Sequence, residues 1–251
     1  MKPIIFVGSR SHMSDLALAA EKLGHEILGI LDHQYWNQAS DIDGIPVIGD
    51  ENWLISSSQP EVEIWRKHCD FFVATLSDGQ QDAVDSGTNR ERLRYDRIQL
   101  LEQQNLGVAT LIDPDSGAFQ NQGRRHWRAK IGRGVYIAPT ADLANSVTIG
   151  DWAVIERQVF IGHHCEIGRN TAILPTSKIT NITVGDNACI GYGAWTKRDP
   201  RGARYTVGDW STVWSHAEIS RNLPTNSILT DRGRVFKKQR SLSWANCMVD
   251  Q

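Results

Sequence analysis

The chain has 251 residues with 40% hydrophobic and 22% charged side chains, the balance of one large or two modest globular domains rather than of a disordered or membrane chain. Its 27 basic and 29 acidic residues leave a net charge of -2, so no overall positive field draws in nucleic acid or anionic lipid, and any anionic ligand needs a local site. No apolar run approaches the roughly 18 residues of a membrane helix, the start turns polar too soon for a secretory signal, and four scattered cysteines show no metal spacing, which points to a cytoplasmic protein with reduced thiols.

In chain order, Ile4-Ile5-Phe6-Val7 is a short apolar run closed by Gly8, the pattern of a buried parallel strand. From Ser14 an amphipathic stretch with Leu16, Ala19, Ala20 and Leu23 on one side predicts a helix stopped by Gly24. Ile27–Leu31 reads as a second strand ending at Asp32, and Phe71 to Ala74 as a later one. Leu93, Leu100 and Leu101 mark a charged helix between Arg90 and Gln104, before a strand over 108–112. This alternation predicts a parallel α/β domain over 1–113. The polar stretch 114–130, with Pro114, Gly117 and Gly123, reads as a linker, and 77–89 receives no assignment.

From Ile131 apolar residues recur at every sixth position, at Ile131, Ile137, Leu143, Ile149, Ile155, Ile161, Ile167, Ile173 and Ile179. Small or β-branched residues follow four places after each, among them Val135, Ala141, Val147, Ala153, Val159 and Cys165, and Gly or Ala is common directly after the large residue. A period of six fits neither a helix nor a continuous strand, but it fits a short strand and a corner repeated along a parallel β-helix, here over 131–229 with a tail at 230–251. The phase slips by one residue after Ile179 and again before Val207, so 196–206 is a candidate loop. Many of the 21 glycines are read as corner residues. Trp152, Trp195, Trp210 and Trp214 fall off the large inward positions, which suggests subunit or cofactor contacts rather than core.

An α/β domain followed by isoleucine-led hexapeptides resembles the bacterial sugar acyltransferases of left-handed β-helix type, which include nucleotide-amino-sugar N-acetyltransferases and sialic-acid O-acetyltransferases. The resemblance runs from Ile4 to about Leu229. It implies a Rossmann-like N-terminal domain for the sugar nucleotide, a left-handed parallel β-helix, and a homotrimer with acetyl-CoA between neighbouring prisms. Ile161-Gly162-His163-His164-Cys165-Glu166-Ile167-Gly168 is similar to the rung that carries the catalytic base, which falls on His163. Imidazole suits the task, since an amine or hydroxyl must lose a proton as it attacks a thioester. The family often has an acidic residue next, whereas this chain has His164, so the orienting group is left open between Glu166, Glu156 and a backbone carbonyl.

The resemblance further places the oxyanion-holding backbone N–H at Thr180 or Asn181, and the pantetheine arm beside Gly191 and Tyr192. A plain coil corner is the competing reading for both pairs. Gly8, Ser9 and His12 stand where the family has its first-strand nucleotide loop, and Asp32, at the end of the second strand, suits a ribose or base contact or a simple turn. The basic set Arg232, Arg234, Lys237, Lys238 and Arg240 suits CoA phosphates or a solvated charge run. No metal is expected: His163 and His216 lie about three coils, roughly 14 Å, apart at ~4.8 Å per strand spacing. The expected activity is acyl transfer from acetyl-CoA to an amino or hydroxyl group of a nucleotide-activated sugar. The alternative is a catalytically degenerate module of the same fold that binds sugar nucleotide or only oligomerises.

Overall fold

The structure, a computed structural model, describes residues 1–9, 13–75, 90–118 and 129–238, with backbone alone at 90–93. His12, Arg240 and the segment 77–89 lie outside the described residues. The first sheet contains β1 (Ile4–Val7), β2 (Ile27–Leu31), β3 (Asp41–Ile42), β4 (Ile45–Gly49) and β5 (Asp70–Val73), in the order β3-β4-β2-β1-β5. β1 pairs in parallel with β2 and β5, and β2 with β4. β1, β2, β5 and the helix α1 (Met13–Lys22) fall where the apolar runs placed them, with Leu16, Ala19 and Ala20 buried. The β3-β4 hairpin and the helices α2 (Trp53–Ser56) and α3 (Pro60–His68) were not read from the sequence; α4 (Arg90–Gln103) was.

The hexapeptides form three stacked parallel faces. Ile149 pairs with Ile131 and Ile167, Ile155 with Ile137 and Ile173, and Ile161 with Leu143 and Ile179, so three hexapeptides close one coil. The large residues and the small ones at Val135, Ala141, Val147, Ala153, Val159 and Cys165 fill one continuous core. Where the small position is polar, its hydroxyl is bonded inside: Ser177 Oγ donates to the Gly191 carbonyl at 2.8 Å. Leu111–Ile112 already pairs with Tyr136–Ile137, so the coil begins before the polar stretch that suggested a linker. At the other end, Val235–Lys237 adds an antiparallel strand to Ser227–Leu229 within the segment read as a tail.

The glycine reading is corrected by the backbone. The left-handed corner position is held by glycine at Gly134 and Gly193 (φ 66° and 60°), but elsewhere by Thr140, Ser146, Trp152, Gln158, His164, Asn170, Thr176 and Asn187, all with φ between 51° and 66°. Glycines directly after the large residue serve coil-to-coil approach instead: a Cβ on Gly150 would lie 2.7 Å from the Arg169 backbone nitrogen. Gly150→Ala is expected to destabilise the chain by about 1–3 kcal/mol through overpacking. A denaturant midpoint unchanged from wild type would refute this.

The three faces differ outward. One is polar, with Lys130, Thr148, Glu166, Thr183 and Thr206. A second presents Tyr136, Val154, Ala172 and Cys189, which pack with Ile4, Phe6, Met13 and Leu16 of the α/β domain. The third, formed by Asp142–Leu143, Phe160–Ile161, Lys178–Ile179, Trp195–Thr196 and Glu218–Ile219, leaves Phe160 and Trp195 exposed.

Arg94 of α4 locks the two parts together. It is 1% exposed and donates to Asn170 Oδ1 (2.8 Å), the Val73 carbonyl (2.7 Å), the Thr75 carbonyl (2.5 Å) and the Trp152 carbonyl (2.7 Å). Two tryptophans are thereby explained within the chain, contrary to the expected subunit or cofactor role. Trp152 is buried beneath α4 with its Nε1 donating to Glu102 at 3.1 Å, and Trp210 packs edge-on to Tyr95 at 5.6 Å. Glu102 also pairs with Arg169 at 2.5 Å and Arg133 at 2.8 Å. Partial burial pushes its pKa up, but the bonds from Arg169 and Trp152 and the nearby cations outweigh this and leave it lowered. A lowered folded-state carboxylate contributes stability above its ordinary range and loses it as the pH falls through the folded value. Trp152 fluorescence is therefore expected to change in acid, below the usual glutamate range, before Glu102→Gln shows any such step; identical acid profiles for the two would refute it.

Candidate active site

His163 and His164 form the exposed corner that follows the strand Phe160–Ile161, two and three places after inward Ile161. His164 takes the left-handed backbone conformation, with φ 59°. The ring of His163 contacts the preceding coil, its Nδ1 lying 3.1 Å from the Asn145 carbonyl oxygen. A carbonyl only accepts, so Nδ1 carries a proton in this contact, and in the neutral ring Nε2 is the nitrogen that can accept one. Of the three orienting groups considered, the geometry selects the backbone carbonyl. Glu166 instead pairs with Arg204 at 3.0 Å, and the two histidine rings stand 6.3 Å apart, tilted at 49°.

The next coil stacks Thr180 directly over Gly162. Neither candidate oxyanion amide is idle. The Thr180 N–H donates to Thr196 Oγ1 at 2.8 Å, and the Asn181 N–H donates to the His163 carbonyl at 3.1 Å. Asn181 absorbs the one-residue slip in a left-handed corner (φ 49°), and its side-chain amide donates to the carbonyls of Gly202 and Ala203 at 3.3 and 3.1 Å.

Gly191 and exposed Tyr192 occupy a different edge of the prism, the one that precedes the third face, whereas the His163 corner follows it. A Cβ on Gly191 would lie 2.6 Å from the Ser215 nitrogen, so the next coil already accounts for that glycine. Gly8, Ser9 and Asp32 come together at the carboxyl ends of β1 and β2. Ser9 Oγ donates to Asp32 at 2.8 Å, and the Gln34 N–H donates to its other oxygen at 2.9 Å. Asp32 is 1% exposed, so it acts here as a buried turn anchor. This cluster adjoins the third edge, since Thr75, bonded to Arg97 beside Gly8, is also held by Arg94 against Trp152. One chain thus carries its three sets of candidate residues on three separate edges.

Asp32, His33 and Glu51 set three potential metal-ligand atoms within 4.8 Å of one another. A cation already lies among them: Arg97 Nη2 is 2.7 Å from Glu51 Oε1 and 3.5 Å from Asp32 Oδ2, and Arg97 is 3% exposed. His33 Nδ1 stands 2.7 Å from the same Glu51 oxygen. The guanidinium neutralises the carboxylates that a metal ion would need.

No family model matches the chain. Over 108 residues it is 28% identical to the acyl-(acyl-carrier-protein) UDP-N-acetylglucosamine O-acyltransferase of Chlamydia abortus and 27% identical to that of Chlamydia caviae. These matches cover 38% of this chain and only 39% of either relative's length. Solved structures match across nearly the whole chain. The acetyltransferase domain of PglB from Neisseria gonorrhoeae superposes with a TM-score of 0.71 at 21% identity, covering 92% of this chain and 97% of that one. PerB from Caulobacter crescentus, solved with CoA and GDP-perosamine, gives 0.72 at 18% identity over 94% and 98%. The chain has the fold of these acetyltransferases. WeeI from Acinetobacter baumannii shares the acetyltransferase fold too, with a TM-score of 0.70 at 17% identity, 94% of this chain and all of that one. Among the described residues, no helix is long and apolar enough to cross a membrane.

Within the acetyltransferase fold, several residues at these corners carry no signature in the sequence. Asn145 contributes a main-chain oxygen, which any residue would supply. Thr196 and Arg204 flank the second phase slip, and that slip is the one sequence signal that marks their neighbourhood. The convergence of Arg97 on Glu51 and Asp32 depends on α4 packing across the strand ends, which no local pattern reveals.

Proposed function

We propose that this chain transfers an acetyl group from acetyl-CoA to an amino or hydroxyl group of a nucleotide-activated sugar, by direct attack of the acceptor on the thioester. The observation that carries the reading is the His163 ring, whose Nδ1–H is fixed by the Asn145 carbonyl and whose Nε2 is left free at an exposed corner. Nε2 takes the proton of the attacking group, and His164 flanks it on the same corner. The Thr180 N–H holds the developing oxyanion once the Thr196 hydroxyl turns away from it. Gly191 and Tyr192 meet the pantetheine arm, while the Rossmann-like domain receives the sugar nucleotide through Gly8, Ser9 and His12, with buried Asp32 anchoring the turn behind them. The separation of these groups over three edges supports a homotrimer of left-handed β-helices, in which the third face of one copy meets the His163 edge of another. Such an enzyme works in the cytoplasm, where acetyl-CoA is supplied, and the reading involves no metal.

The test is thiol release from acetyl-CoA with a panel of nucleotide-linked amino sugars. Release that requires the acceptor and vanishes in His163→Ala supports the assignment. Cys165 does not compete in this assay, because burial pushes its thiol up to about 11 and leaves almost no thiolate near neutral pH. The engaged Thr180 N–H favours one rival, a binding module of the same fold. Sugar-nucleotide binding without thiol release would establish that rival and overturn the enzyme.

A further inference from the structure

The excursion 197–204 is anchored to the His163 corner at two points. Asp199 closes it upon itself by accepting from the Arg201 and Ala203 amides at 2.7 and 3.2 Å. Asn181 then joins the two: its side chain holds the carbonyls of Gly202 and Ala203, while its backbone N–H holds the carbonyl of His163. Arg204, the last residue of the excursion, reaches back to donate from Nη2 to the His164 carbonyl at 2.6 Å and from Nη1 to Glu166 Oε1 at 3.0 Å.

The bond to His164 is unlike the ordinary coil contacts. Most corners are stitched to the next coil by the amide of the following left-handed residue, as Asn170 does to Asp151, Asn187 to Arg169 and Asn181 to His163, whereas the Gln158 amide donates to the Thr140 hydroxyl instead. Those bonds use the carbonyl before the left-handed residue. The carbonyl of the left-handed residue itself takes other partners: at Asn181 it accepts from the Tyr205 amide, and at Trp152 from the buried Arg94 that docks the α/β domain. At His164 it is taken by Arg204. A non-glycine residue held at φ 59° sits in a shallow, sterically tight well, so a fork that grips its carbonyl and the side chain two residues later narrows the corner's freedom.

We propose that Arg204 is a positioning residue for His163: through the His164 carbonyl and Glu166 it holds the corner at the angle that keeps the His163 Nδ1–H on Asn145 and Nε2 outward. The inference rests on the acyl-transfer reading for its catalytic consequence, but not for its structural one. Arg204 touches no reacting atom in this arrangement. Lysine at the position would restore one bond but not the fork.

The test compares Arg204→Ala, Arg204→Lys and, as a control on loop charge, Arg198→Ala. In wild type, nitrogen NMR of the imidazole is expected to show His163 in the Nδ1–H tautomer. Arg204→Ala should mix the tautomers, lower kcat by roughly 10- to 100-fold and leave the acetyl-CoA KM within about twofold, as misplacement of a catalytic group does. Arg204→Lys should recover part of both, and Arg198→Ala neither. A pure Nδ1–H tautomer with unchanged kcat in Arg204→Ala would overturn the proposal, as would an equal loss in Arg198→Ala. If wild type releases no thiol while the tautomer still shifts in Arg204→Ala, the positioning stands and the acyl-transfer reading falls. If Arg204→Ala fails to fold, the partial recovery in Arg204→Lys decides, and a lysine variant that is folded, fully active and tautomerically pure overturns the proposal.

Discussion

His163→Ala is expected to lower the kcat of acetyl transfer by a factor of about 10² to 10⁴, the range that a positioned general base contributes. The side chain is exposed and makes one bond, to the Asn145 carbonyl, so its loss should leave the stability within about 0.5 kcal/mol of wild type. That combination separates a catalytic role from a structural one. His163→Asn is the informative companion, because it retains a donor for Asn145 while removing the titrating nitrogen. Its kcat should fall with the alanine variant's. Activity in either variant within threefold of wild type would show that the proton leaves by another route.

Arg94→Met should have the largest effect on stability, about 3–5 kcal/mol, the cost of breaking a buried charged network by removing one partner. Methionine fills much of the volume but donates nothing. Four acceptors, Asn170 Oδ1 and the carbonyls of Val73, Thr75 and Trp152, then lose their shared donor at a place without solvent. For a chain of this length the loss corresponds to a Tm lower by roughly 6–20 °C. A melt within 2 °C of wild type would mean that the α/β domain is held by apolar contact alone.

The β-helix was legible because nine large residues keep one period without interruption, and both slips in phase proved to be real features: the Asn181 corner and the excursion 197–204. The α/β strands with continuous apolar runs were legible for a similar reason. The β3-β4 hairpin had a signal that was passed over, Asp43-Gly44, whose φ values of 53° and 79° are those of a two-residue hairpin turn. α3 also had one, Pro60 at its first position with Glu61 and Glu63 in the first turn. The site was legible only as far as side chains define it. His163 was found by its rung, but its orienting partner is a main-chain oxygen, and the residues around Asp32 are 19 to 65 positions away from it in the chain at Glu51 and Arg97. Glycine misled, since the repeat showed where glycine recurs but not whether conformation or closeness selects it.

The covered second face has a consequence for how the molecule comes apart. In a coil whose turns touch only their neighbours, unfolding can start at either end and travel inward by separate steps. Here Tyr136, Val154, Ala172 and Cys189, one from each of four successive turns, share a single apolar cluster with β1 and α1. The α/β domain acts as a splint: none of these turns can fray without lifting from it. Melting of this region is thereby converted from a zipper into one concerted event.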